Sequence, residues 1–568
     1  SPLLSGDARE NAEPELTRRV FGAMRDAGVA LAVGRYDEAR FFYVAPAFAT
    51  GAAGEHRTIH IGLDLFAQVG TPVYAPLDGT VHAFADNRAP QDYGPVIVLR
   101  HETDDGTEFF TLYGHLSRKS LDDLAIGKLV RAGEKIATLG PDAVNGGWTP
   151  HLHLQIMAGD MGLGSDFPGV AHSSQRAVWR ALCPDPNLIA RVPAHRFPPA
   201  LQSARDTLDA RHEVTGGNVS IAYREPVKVV RGYMQHLYDD TGRRYLDAYN
   251  NVPHVGHCHP RVVEAAARQM RVLNTNTRYL NDLLTHYAER LLATLPRELE
   301  VCYVLNSASE GNELALRLAR AYTGERDMVV LEAAYHGNTT SLIDISPYKH
   351  NGPGGKGPPD WVHVAALPDV YRGAYRASDP DAGAMYAASV LAAIELTASA
   401  GRGIAGFIAE TCPSVGGQLV FPPGYLAHVY HHVRAAGGVC IADEVQTGLG
   451  RMGTSFWAFE AQGVVPDIVV MGKPLGNGHP LAAVATTRAI ADAFDNGMEF
   501  FSTFGGNTVS CAVGLAVLDV VRDERLQEHA RQVGDDMGAR LRALATRHDI
   551  VGDVRGSGLF WGVELVRD

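Results

Sequence analysis

Short apolar runs separated by longer amphipathic stretches dominate the C-terminal two-thirds of the chain. Asp327–Leu331, 406–409, 439–442 and Ile468–Met471 are rich in Val, Ile and Leu and are bounded by Gly, Pro or charged residues, as buried strands are. The stretch "NSASEGNELALRLARAYTG" instead carries a helical stripe through Leu314, Leu318 and Ala321. It opens on the capping-box pair Ser307 and Glu310 and closes at Gly324. Strands alternating with helices predict a mostly parallel α/β sheet. Nearer the N-terminus, "HIGLDL" and "HLHL" alternate at period two and read as extended segments. Before them, 14–43 reads as helical, on an imperfect stripe of Leu16, Val20, Met24 and Val29.

At 568 residues the chain exceeds what one core normally organises. Residues 190–206 are rich in Pro and Arg and poor in apolar periodicity, which marks a linker. The resulting division is a helical segment over 1–50, a domain over 51–189, a linker over 190–213 and an α/β domain over 214–568. A formal net charge of −13 argues against a nucleic-acid partner, which needs a basic face. No run approaches the roughly 18 apolar residues of a membrane span. Six scattered cysteines fit a reducing compartment, so a cytoplasmic location is expected. The chain opens on "SPLLSGDA" without Met, which predicts a fragment of a longer protein or a processed chain.

Candidate chemistry changes this picture twice. Lys473 follows the run Ile468–Met471 and sits where a side chain enters the crevice at the carboxyl edge of a parallel sheet. Asp443 ends another strand, and in a cofactor site its carboxylate would pair with a protonated pyridine nitrogen, with Gln446 in reach of the ring hydroxyl. The helix start after Ser307 offers unpaired N–H groups to a phosphate. In the N-terminal third, His60, Gly62 and Asp64 fall on one face of an extended segment and His151 and His153 on one face of another. An imidazole, carboxylate, imidazole set leaves one position open on zinc, as hydrolytic sites do.

Residues from about Val214 onward resemble the class III (ω-) aminotransferases of fold type I, and more narrowly the ethanolamine-phosphate and phosphohydroxylysine phospho-lyases. The likeness is dense through "NNVPHVGHCHP", "LNTNTRYL", "AYHGNTTSLIDISPYK", "FIAETCPSVGGQ", "IADEVQTGLGR", "VVMGKPLGNGHP" and "STFGGNTVSCAVGLAVLDV". The resemblance implies a three-layer fold and pyridoxal phosphate as cofactor, with Lys473 as its Schiff-base lysine and Asp443 and Gln446 in the roles above. It also implies Tyr335 as the stacking aromatic, Ala308 and Ser309 as the phosphate turn, and Glu410 as a carboxylate lining the site. Thr503 would be lent by a second subunit, so a homodimer is expected. The family usually has Gly where Ala308 stands and Ala where Gly311 stands, which predicts a narrower phosphate cup and a looser helix start. Such enzymes also continue beyond "GLFWGVELVRD", so part of the small domain is expected to be missing.

The implied reaction is elimination of phosphate from a small phosphorylated amine, giving an aldehyde, ammonia and phosphate. Arg278, Lys349 and Arg372 are the cationic candidates for the substrate phosphate. Cofactor residues alone leave an ω-aminotransferase open, with an amine donor and a keto-acid acceptor. A zinc metallopeptidase or scaffold with a silent cofactor domain is the third reading. Residues 56–160 are similar to the lysostaphin-type zinc metallopeptidases through "HIGLDL", "GTPVYAPLDGTV", "YGHL" and "HLHL". That similarity implies a β-rich domain, His60, Asp64 and His153 as zinc ligands, and His115 and His151 as catalytic groups assisting the water on the metal. "HVGHCHP", the trio His428, His431 and His432, and "GPGGKGPP" lack the spacing of metal or phosphate sites and are not assigned one.

Overall fold

The structure, a computed structural model, describes residues 13–40, 43, 48, 55–197 and 202–567. Its contacts separate two units, Ser1–Asp247 and Ala248–Asp568. The first is built on a seven-stranded antiparallel sheet in the order Ala32–Gly34, Leu63–Phe66, His151–Met157, Glu108–Gly114, Gly94–Glu102, Gly79–Asn87, Leu129–Val130. Alternation across Gly94–Glu102 sends Ile97 and Leu99 into one core with Tyr113 and Leu116. It sends Val96 and Val98 into another with Ile59, Leu112 and Phe167. A smaller sheet joins Val170–His172, Arg57–His60 and Glu38–Ala39.

The segment before this sheet departs from the helical reading of 1–50. A helix covers only Glu15–Asp26 and buries Leu16, Phe21 and Met24. Gly28, at φ +65°, ends it, and Val29 is exposed. Ala32–Gly34 then joins the edge of the large sheet, with Gly34 opposite Asp64, and Glu38–Ala39 pairs with His60 and Ile59. Strands this short are set by the edges they pair with rather than by their own pattern. Residues 1–12 and most of 41–54 lie outside the described residues. In the expected linker, Ala204–Val214 is a helix, capped by Ser203, whose Oγ accepts from Asp206 N–H at 3.0 Å. The meander Val229–Tyr233, His236–Asp239, Arg244–Leu246 also groups with the first unit.

The second unit carries a seven-stranded mixed sheet, ordered Val301–Leu305, Ala482–Thr486, Ile468–Met471, Val439–Asp443, Ile404–Glu410, Asp327–Leu331, Val362–Ala365. The five strands from Ile468–Met471 to Val362–Ala365 are mutually parallel. Met328 and Val330 pack with the helix Ala308–Thr323 on one face. Val329 and Leu331 pack on the other with Tyr386 and Val390 of Ala382–Ser399 and Val429 of Tyr425–Ala435. These are the expected three layers. Gly311 lets the first helix lie close, since a Cβ there would meet Val470 Cγ1 at 2.9 Å.

One expectation about membranes is corrected. Ala382–Ser399 is long and apolar enough, by length and composition, to cross a membrane. Alanine-rich turns with a single Glu give it that composition, and in the fold Tyr386, Ala387, Val390 and Ile394 of this helix are buried against the sheet.

The long helix Leu526–Ala545 lies against the hairpin Val551–Ser557 and Phe560–Leu565 at glycines: a Cβ on Gly534 would sit 2.1 Å from the Gly558 carbonyl oxygen. Backbone cannot yield as a flexible side chain does. Gly534→Ala is therefore expected to destabilise this helix and hairpin pair by about 2 kcal/mol. Faster amide hydrogen exchange confined to those two elements would show it.

Candidate active site and metal centre

The parallel strands of the second unit end in a cavity of about 470 Å³. Asp443 and Glu410, Cα partners across neighbouring strands, reach it together with Lys473, Tyr335, Gln446, Ala308 and Ser309. Asp443 is 3% exposed. Its Oδ2 accepts from Asn312 Nδ2 and pairs with His336 Nδ1, both at 2.9 Å, and its Oδ1 accepts from Val445 N–H at 3.2 Å. Asn312 also donates to the His336 carbonyl at 2.8 Å, tying the loop to the helix. Asn312 and His336 escaped sequence reasoning. The available signal was a lone Asn among the apolar positions that this helix buries.

Lys473 is half-buried and adopts φ +27°, an uncommon conformation for a residue other than glycine. Burial pushes its ammonium below the usual lysine range, against the pull of Asp443 and Glu410. The helix start is not loose: Ser307 Oγ accepts from Glu310 N–H and Glu310 accepts from Asn306 N–H, both at 3.2 Å. The cup is close-packed, since a Cβ on Gly472 would meet the Ala308 methyl at 2.8 Å. Gln446 accepts from Asn251. Glu410 is 5% exposed and spends one oxygen on Ser414, accepting from its Oγ at 2.6 Å.

Pyridoxal phosphate fits these residues. A lysine, a buried and doubly anchored carboxylate, an aromatic wall and a capped helix start all converge on one cavity. Thr503, expected to serve a partner's site, is exposed. Two sequence candidates do not enter the cavity. Arg278 pairs with Glu499 at 3.1 Å and lies 4.2 Å over the Phe501 ring. Arg372 pairs with Glu564, far along the chain in the C-terminal hairpin. Long cations find surface carboxylates wherever their loops fold, and sequence does not say where. Lys349 does stand beside the site, 5.6 Å over the Tyr335 ring. In "HVGHCHP", His254 pairs with the Leu449 carbonyl and Arg451 while His259 pairs with Glu524, so they form no metal cluster.

In the first unit, His60, Asp64 and His153 are the group of donors close enough to hold a metal among the described residues. His60 Nε2 to His153 Nδ1 is 3.0 Å, His60 Nε2 to Asp64 Oδ1 is 3.2 Å, and His153 Nδ1 to Asp64 Oδ1 is 3.1 Å. Ligands of tetrahedral zinc stand about 3.4 Å apart, so the triangle fits that ion. The second ring nitrogens are anchored, His60 Nδ1 by the Arg35 carbonyl at 3.1 Å and His153 Nε2 by Gln155 Oε1 at 3.0 Å. "HIGLDL" is not one strand. His60 ends Arg57–His60 and Asp64 lies in Leu63–Phe66, in different sheets, with the chain turning at Gly62. A Cβ on Gly62 would strike His153 Cε1 at 2.3 Å.

Arg40, from the segment read as helical, donates to Asp64 Oδ2 at 2.6 Å. Burial works to raise the Asp64 carboxyl, but His60 and Arg40 outweigh it and hold it well below the usual range. Burial, with Arg40 beside it, lowers His60 to about 4, the neutral form that a metal ligand needs. His151 Nδ1 and His115 Nδ1 are held by the carbonyls of Thr149 at 2.6 Å and Asn145 at 2.8 Å, and their rings lie 4.3 Å apart. A cleft of about 360 Å³ opens over all five residues, walled by Phe66, Tyr93 and Trp148.

Comparison with known proteins separates the same two parts. The aminotransferase class-III family matches residues 220–568, and peptidase family M23 matches 58–163. The chain is 49% identical over 371 residues to alanine–glyoxylate aminotransferase 2-like of Drosophila melanogaster, covering 64% of this chain and 75% of that protein. It is 44% identical over 389 residues to ethanolamine-phosphate phospho-lyase homolog 1 of Caenorhabditis elegans, covering 66% and 83%. A phospholyase from Arthrobacter in complex with phosphoethanolamine superposes with a TM-score of 0.61 at 42% identity, covering 64% of this chain and 85% of that one. With Lys473, Asp443 and the capped helix in place, the chain belongs to the class-III aminotransferase family of pyridoxal phosphate enzymes and carries an M23 peptidase domain ahead of it.

Proposed function

We propose that the class-III unit is a phospho-lyase, releasing phosphate and ammonia from a small phosphorylated amine such as phosphoethanolamine and leaving an aldehyde. The observation that carries this reading is the likeness, through the whole unit, to a phospholyase whose structure holds phosphoethanolamine. The C. elegans relative supports it. An ω-aminotransferase is the runner-up, favoured by the name of the Drosophila relative.

Bound pyridoxal phosphate supplies an electron sink for the pair left when a C–H bond next to the substrate nitrogen breaks. Lys473, biased by burial toward its neutral amine, removes that proton. Asp443, fixed by Asn312 and His336, would pair with the ring nitrogen. Tyr335 would stack on the ring, and the N–H groups of Ala308 and Ser309 would hold the cofactor phosphate. Lys349, beside Tyr335, is the cation we assign to the substrate phosphate.

We also propose a homodimer, with Thr503 serving the partner's site. Its support is an exposed apolar surface of Val272, Tyr279, Leu280 and Phe504, on the two chain segments that the Thr508 to Leu273 hydrogen bond ties together. For the M23 unit we propose zinc held by His60, Asp64 and His153, with His115 and His151, anchored through Nδ1, assisting the water on the metal.

Purified protein given phosphoethanolamine is expected to release inorganic phosphate and ammonia with no keto acid added. Strict dependence on a keto acid would make it an aminotransferase instead. Lys473→Ala should cut phosphate release by about 10³-fold while the protein still folds, the scale expected of a lost general base. In the M23 unit, metal analysis should find about one zinc per chain, and Asp64→Ala should lose it. Zinc retained in full by that variant would remove Asp64 from the ligand set.

A further inference from the structure

Glu410 has a task still unassigned. It ends the strand Ile404–Glu410 beside Asp443 and lines the same cavity as Lys473. Its Oε1 takes both bonds from Ser414, from Oγ at 2.6 Å and from N–H at 3.4 Å. Its Oε2 is buried and has no hydrogen-bond partner. Among the described residues no Lys, Arg or His forms an ion pair with this carboxyl. A buried carboxylate with one oxygen idle and no counter-cation is a costly arrangement unless a ligand or a proton completes it.

We propose that Glu410 is the acid that protonates the departing phosphate. This rests on the phospho-lyase reading above. As the bond between the substrate carbon and the bridging oxygen breaks, its electron pair goes to that oxygen. The Oε2–H bond of Glu410 breaks at the same time, and a new O–H bond forms on the leaving group, which departs as hydrogen phosphate. Lys473 has by then taken one proton from carbon, so the site as a whole keeps its proton count. Transfer from the Lys473 ammonium through water restores both groups.

The surroundings suit an acid. Burial, and then the negative charge of Asp443, raise the Glu410 carboxyl to about 7, against the opposing effect of Ser414 and His336. The charged and titratable groups facing it are Asp443 on the adjacent strand, His336 on the loop after Asp327–Leu331, Lys473 after Ile468–Met471, and the buried Cys412 thiol two residues along the chain. A group raised to this value carries its proton below about 7 and loses it above. Phosphate release should therefore decline on the alkaline side as Glu410 ionises.

The test is Glu410→Gln, which keeps size and polarity but has no proton to give. With phosphoethanolamine deuterated next to nitrogen, the variant should release phosphate about 10²-fold more slowly than the parent while still exchanging deuterium into water. Chloride release from 2-chloroethylamine, whose leaving group needs no proton, should be spared. The alkaline decline should also vanish. Glu410→Asp, still an acid, should recover part of the phosphate rate, and an unchanged cofactor absorbance spectrum would show that the site is assembled. Phosphate release within a few-fold of the parent would overturn the proposal. So would a parallel loss of deuterium exchange, which would place Glu410 in the first proton transfer or in holding the site together. A parent protein that releases no phosphate at all would overturn the phospho-lyase reading itself.

Discussion

Burying the Asp443 carboxylate at the end of a central parallel strand is the constraint around which the class-III unit is arranged. Taking an ion out of water costs several kcal/mol unless hydrogen bonds replace the lost solvation. Asn312 and His336 supply them. Asn312 can do so only if its helix lies close to the sheet, and Gly311 permits that approach. His336 can do so only if the loop after Asp327–Leu331 folds back over the strand ends, and the Asn312 bond to its carbonyl fixes that path. The same helix then presents its capped start to the cavity, and the same loop presents Tyr335.

The M23 unit meets a similar constraint with a different partner. Asp64 lies under three imidazoles and would be a poorly solvated charge without Arg40. That guanidinium comes from a segment lying ahead of residues 58–163, the range that matches the peptidase family. The chain before the family match is therefore part of what supports the His60, Asp64 and His153 cluster. Its edge strand, with Gly34 opposite Asp64, leaves room for the Arg40 side chain: a Cβ on Gly34 would come within 2.8 Å of Arg40 Nη2.

What was legible in sequence follows from the range of the forces involved. Val439–Asp443, Ile468–Met471 and the helix Ala308–Thr323 were readable because apolar period, cap and stop all lie within a few residues of each other. His151 and His153 were readable because alternation along one strand puts them on one face. His60 and Asp64 also converge, but through a turn at Gly62 rather than along one strand. Arg40, Asn312 and His336 were not readable, since each acts on a carboxylate over twenty residues away in the chain. Arg278 and Arg372 were read as ligand cations and turned out to pair with Glu499 and Glu564, because a surface arginine's partner is decided by loop folding alone. The helical reading before the M23 domain failed where strands of two or three residues depend wholly on their neighbours.

Two of the site carboxyls, Asp64 and Glu410, share an arrangement that Asp443 does not: each gives one oxygen to a fixed anchor and keeps the other off it. Asp64 gives Oδ2 to Arg40 and turns Oδ1 to the imidazoles. Glu410 gives Oε1 to Ser414 and leaves Oε2 unpartnered. Asp443 gives Oδ2 to Asn312 and His336 and Oδ1 to a backbone amide. The anchor then decides the chemistry. A guanidinium on Asp64 favours the anion, which a metal can bind. A hydroxyl on Glu410 adds no positive charge, and Asp443 on the next strand adds a negative one, so the proton stays to a higher pH. Two carboxyls that end neighbouring parallel strands as Cα partners thereby differ in surroundings: Asp443 is tied through both oxygens, while Glu410 keeps one oxygen unpartnered.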